Sequence, residues 1–124
     1  MRRMSLEHFL LALAAGRVAI GVAPIVAATA TSRLLGFPAD HDNPTARLMA
    51  RLFGVRDAGL GAIVVMNLGD PDGLRRALWL NLAMDLADAL MIAVPLVRRQ
   101  GIDRPATLSL SLALGGAAMW VVAL

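Results

Sequence analysis

Four long apolar stretches, separated by short polar segments, set the pattern of this chain. They lie at about residues 8–31, 50–68, 74–97 and 105–124. Each is about twenty residues or more, and at 1.5 Å per residue that length crosses a hydrocarbon layer of about 30 Å. Strand-like alternation is absent, and backbone amides cannot stay unpaired in lipid, so the stretches read as helices. Their punctuation agrees. Ser32 to Asn43 contains Gly36, Pro38 and the polar run Asp40-His41-Asp42-Asn43, which is loop chemistry. Asn43-Pro44 then reads as an N-cap followed by a first helical residue, and Asp70-Pro71 repeats the signal. Arg98, Arg99 and Gly101 close the third helix, and Pro105 opens the fourth. Short connections between the last three helices predict an all-α, integral membrane, up-down bundle of four transmembrane helices, forming one domain over residues 1–124.

Composition supports lipid as the solvent. Hydrophobic residues make up 58% of the 124 positions and charged residues 17%, against about 45–50% and 25% in soluble domains; mean hydropathy is +0.67. Arg2 and Arg3 ahead of the first run, with Ala28-Thr29-Ala30 near its end, also fit a signal peptide. The run is far longer than a signal core of about 7–15 residues and contains Arg17, so a retained span is the better reading. The twelve basic residues are all arginine and the net charge is +3, scattered without a basic face, which gives nucleic acid no footprint. Zero cysteines exclude disulfides, thiolate metal sites and thiol nucleophiles. The arginine count on the two sides, Arg33, Arg47, Arg51, Arg98, Arg99 and Arg104 against Arg2, Arg3, Arg75 and Arg76, leaves orientation open. Trp79 and Trp120 fall toward one interface and predict an aromatic belt there.

The chemistry lies inside the spans. Arg17, Arg56, Asp57, Asp85 and Asp88 all fall within about three residues of their helix midpoints, so they share one layer within about 5 Å of the midplane. Each costs about 2.5–3.5 kcal/mol to insert, so they are expected to face one another or enclosed water. Asn81, Asp85 and Asp88 lie within about 60° of one another on the third helix and form a polar stripe, with Met84 and Met91 beside it. Gly54 and Gly61 share the face of Asp57, and Gly21 and Pro24 that of Arg17, so neighbours can approach closely. Two arginines against three aspartates leave one negative charge, which a proton, a cation or water must compensate. Asp85 and Asp88 are the expected pair to share a proton.

Asp40-His41-Asp42 reads as a solvated turn rather than a metal site, and His8 as interfacial. Ser109 and Ser111 have no base beside them. No cofactor motif is present.

The stretch Arg51-Leu52-Phe53-Gly54-Val55-Arg56-Asp57-Ala58-Gly59-Leu60-Gly61 resembles the Gly-Xaa-Arg-Asp signature of small four-helix bacterial membrane proteins related to the DoxX-like families. Asn81 through Leu90 resembles the third-helix acidic motif of the same group, so the likeness covers residues 47–92. It implies a four-helix fold in a bacterial membrane and a family mostly of unknown function. DoxX-like relatives are linked to thiol and quinone redox complexes, and this chain has no cysteine for a thiol role.

The leading functional expectation is a small protein of the bacterial cytoplasmic membrane that binds a hydrophobic small molecule as a ligand-binding or accessory subunit. Arg17, Asn81 and Met84 would touch the ligand. The alternative is an intramembrane acid/base enzyme (an epoxide hydrolase, isomerase or cyclase acting on a terpenoid-like substrate), in which Asp57, Asp85, Asp88 and Arg56 are the catalytic candidates. A third reading is a structural bundle whose buried ion pairs act as clips. Gly115-Gly116 on an uncharged last helix suggests a homodimer surface. No metal or cofactor is expected, and whether the chain is an enzyme stays open.

Overall fold

The computed structural model describes the backbone of residues 2–124 and the side chains from Ser5 onward. The Arg2 and Arg3 side chains, which enter the orientation count, therefore lie outside the described residues. The chain is all-α. We label the helices α1 (Arg2–Val26), α2 (Ala28–Leu35), α3 (Pro44–Met66), α4 (Pro71–Val97) and α5 (Asp103–Ala123), with a 3-10 turn at Ala39–His41 between α2 and α3.

The first apolar run is not one helix. It breaks at Ala27, whose backbone leaves helical values (φ −145°, ψ 61°), three residues after Pro24, a residue that cannot supply an amide to the helix ladder. Beyond the break, α2 ends on Gly36 in the left-handed region (φ 92°). The start of α3 follows its sequence signal: the Asn43 side chain accepts from the Ala46 amide at 2.8 Å, with Pro44 in the first turn. Asp70 precedes α4 without a side-chain cap bond.

Among the described residues, three helices are long and apolar enough to cross a membrane: Ser5–Val26, Pro71–Val97 and Asp103–Ala123, with mean hydropathies of 2.1, 1.7 and 1.7. The fourth long helix, α3, differs because its last eighteen residues, 49–66, still contain Arg51, Arg56 and Asp57. Large apolar side chains such as Leu6, Val55, Leu90 and Val121 point outward. That distribution suits a lipid environment rather than water.

Packing is uneven. α1 lies along α3, and α4 along α5, whereas the two pairs touch far less. Glycine sets the first seam: Gly21 faces the backbone of Gly54 and Ala58, and Gly61 faces Ala14 and Val18. A side chain on Gly21 or Gly54 would run into the partner helix's backbone, so this contact requires their lack of a Cβ. Both pairs meet around Leu10, Ala14, Val64, Ala77, Leu78, Leu82, Ala117 and Trp120, near the start of α1 and the α3–α4 turn. Away from that core the pairs diverge.

Candidate functional site

Arg17 sits on α1 between Ala14 and Gly21, and Asp57 on α3 between Gly54 and Gly61. The glycine seam therefore brings a guanidinium and a carboxylate together at the level where the bundle starts to open. Arg17 Nη2 donates to Asp57 Oδ1 at 3.2 Å. Its Nη1 lies 2.9 Å from Asp85 Oδ1 on α4. Arg56 holds Asp88 through two parallel bonds, Nη1 to Oδ1 at 3.0 Å and Nη2 to Oδ2 at 2.7 Å, the fork geometry that makes such pairs strong. Arg56 Nη2 also approaches Asp57 Oδ1 at 3.6 Å. The five groups thus form a ladder of alternating charge across α1, α3 and α4: Asp85, Arg17, Asp57, Arg56, Asp88.

Its two ends differ in burial. Arg17, Asp57 and Asp85 are 7%, 5% and 6% exposed, whereas the Arg56 and Asp88 side chains are 34% and 21% exposed. The Arg56 guanidinium carbon lies 4.9 Å from the centre of the Phe53 ring, a cation–π contact that shields it. Both guanidiniums reach Asp57 at the same oxygen, Oδ1. The Nε atoms of Arg17 and Arg56 are buried without a partner.

All five midplane residues come together as their depth suggested, but not in the expected pairing. Asp85 and Asp88, expected to share a proton, are each engaged by a different arginine, Asp85 by Arg17 of α1 and Asp88 by Arg56 of α3. Asn81 is fully buried and is turned to the backbone, donating to Leu60 O at 3.1 Å and Ala77 O at 2.9 Å. It fastens α4 to α3 below the ladder.

The diverging helices leave a cleft of about 1230 Å³. Arg17, Asp57, Asp85 and Asp88 are on its wall, together with apolar residues including Ile20, Phe53 and Leu112. Asn81, Met84 and Arg56 are not among the wall residues, whereas Met91 and Met119 are.

Trp120 corrects the aromatic-belt expectation. It is buried, and its indole Nε1 donates to Asp85 Oδ2 at 2.9 Å, while Trp79 is exposed. A buried indole needs an acceptor, and Trp120 shares the face of Gly116 four residues earlier. Gly116 lies directly against the Asp85 carboxylate, so it serves α4 in the same chain rather than a second copy. Gly115 has nothing within 4 Å of where its Cβ would be. In the turn, Asp42 accepts from Thr29 Oγ1 at 3.0 Å and pairs with Arg47 at 3.2 Å. No group of three metal-ligating side chains occurs among the described residues.

Comparison with curated proteins and with solved structures finds no match. Comparison with protein families matches residues 14–124, which include all five residues of the ladder and every helix from the middle of α1 onward. On that match the chain belongs to the family described as Domain of unknown function (DUF4267).

Proposed function

We propose that this chain is a four-span integral protein of the bacterial cytoplasmic membrane that holds a hydrophobic small molecule between its helix pairs, as a binding or accessory subunit. One observation carries the reading: four members of the charged ladder stand on the wall of a cleft otherwise lined largely by apolar side chains. Ligand sites characteristically combine apolar walls with a few convergent polar groups. Counting α3 as the fourth span rests on the pairing of Arg56 and Asp57 within the ladder, which buries one of the three charges that distinguish it and neutralises a second. Kinship with the DoxX-like families belongs to the same proposal and rests on the two motifs alone. Dimerisation through α5 rests on Gly115, which no described side chain contacts within 4 Å of its Cβ position, although it also borders the cleft.

Mass spectrometry of the organic extract of gently solubilised protein tests the reading. A hydrophobic compound should accompany the wild type in near-stoichiometric amount and fall several-fold in Ile20→Trp, which fills the cleft. Equal extracts from both proteins would leave the ladder a structural clip.

A second reading is favoured by Arg17, which bridges Asp57 and Asp85 at 3.2 and 2.9 Å. In an acid/base enzyme one aspartate protonates the substrate oxygen, the other activates water, and the arginine fixes both. Turnover of a terpenoid-like epoxide that disappears in Asp57→Asn would establish it over simple binding.

A further inference from the structure

The ladder contains two guanidiniums and three carboxylates, and every guanidinium is already shared between two of them. One negative charge is left over in a low-dielectric setting, where an uncompensated charge is costly. It meets the cleft through Asp57, Asp85 and Asp88, all three on its wall, of which Asp57 and Asp85 are nine-tenths buried. An inorganic cation would need several oxygen ligands, and no such cluster occurs among the described residues. The walls instead offer Ile20, Leu112 and Met119, with Phe53 and Trp120 also on them, surfaces that suit an apolar body.

Building on the proposed ligand-binding role, we propose that the cleft accepts a hydrophobic organic cation carrying a single positive charge, whose charge balances the ladder while its apolar groups fill the space between the helix pairs. Charge complementarity selects the class. A hydrophobic anion would double the imbalance, and a neutral guest would leave it to be met by a proton on one aspartate, whereas a cation meets it directly.

Three probes of matched shape separate these cases: tetraphenylphosphonium, tetraphenylborate and neutral tetraphenylmethane. Binding is read in detergent micelles by quenching of Trp120, using a Trp79→Phe background so that one indole reports. The cation should bind by about tenfold or more over the anion, with the neutral probe between them. Asp88→Asn balances the ladder and should abolish the preference for the cation. Arg56→Gln makes it doubly negative and should preserve or strengthen that preference. Both positions are partly exposed, and a purely structural role would weaken binding in both variants. If the neutral probe binds as well as the cation and Asp88→Asn changes nothing, the cation inference is overturned while cleft binding stands. If none of the three binds, both fall.

Discussion

Arg17 is the residue on which most of the ladder depends, since it joins α1 to both α3 and α4 through charge. Replacing it with methionine would leave Asp57 with only the longer contact to Arg56, and Asp85 with only the Trp120 indole. Removing one partner of a buried pair costs about 3–5 kcal/mol, so Arg17→Met should unfold at markedly lower temperature in detergent. Trp120→Phe removes a single bond to a charged group, worth about 1.5–3 kcal/mol, and should fall between Arg17→Met and wild type. Equal thermal stability of all three proteins would contradict the buried ladder. The membership of this ladder was legible in the sequence because charges inside apolar runs have few tolerable places to go. Its pairing was not, since depth along a helix says nothing about which neighbour lies across. Trp120 was misread for a related reason: a tryptophan near a span end fits both an interfacial belt and a buried donor, and only the carboxylate opposite distinguishes them.

At the level of elements, the α1–α3 seam and the break at Ala27 were unequally visible. Gly54, Asp57 and Gly61 share a face by spacing alone, and the structure seats that face on α1. The break is subtler, because Pro24 lies within the helix and the chain leaves helical geometry only after Val26. Pro95 inside α4 shows that proline by itself does not end a helix here. The glycines of α3 give a paired prediction. Gly54→Ala should push the helices apart and cost about 1–3 kcal/mol through overpacking. Gly59→Ala, whose added methyl meets nothing within 4 Å, should be neutral or stabilise by up to about 1 kcal/mol through helix propensity. Chemical unfolding of the two variants measures the contrast, and equal destabilisation would mean that the seam is not the tight contact.

For the whole molecule, the number of helices that cross the bilayer fixes where its ends lie. Four crossings, counting α1, α3, α4 and α5, put both ends of the chain on one side; three crossings, leaving out α3, put them on opposite sides. The absence of cysteine makes the chain a clean background for single-cysteine labelling. Ser5→Cys and Leu124→Cys should react with a membrane-impermeant maleimide from the same side, and Asp40→Cys from the other. Labelling of the two ends from opposite sides would remove α3 from the membrane. The sequence suggested four spans from run length, but the charges of α3 that make the site are also what set it apart from the other three helices.

The alternation of charge along the ladder also orders events during synthesis. Arg17 is made forty positions before its partner Asp57, so α1 reaches the insertion machinery carrying a charge with nothing to oppose it. α3 brings Arg56 and Asp57 side by side, each the other's first neutraliser, and α4 arrives last with Asp85 and Asp88. No helix of this set can settle in its final environment alone. The charge on α1 therefore gains its compensation only once its acidic counterparts emerge, which is expected to couple the final packing of the three helices during insertion.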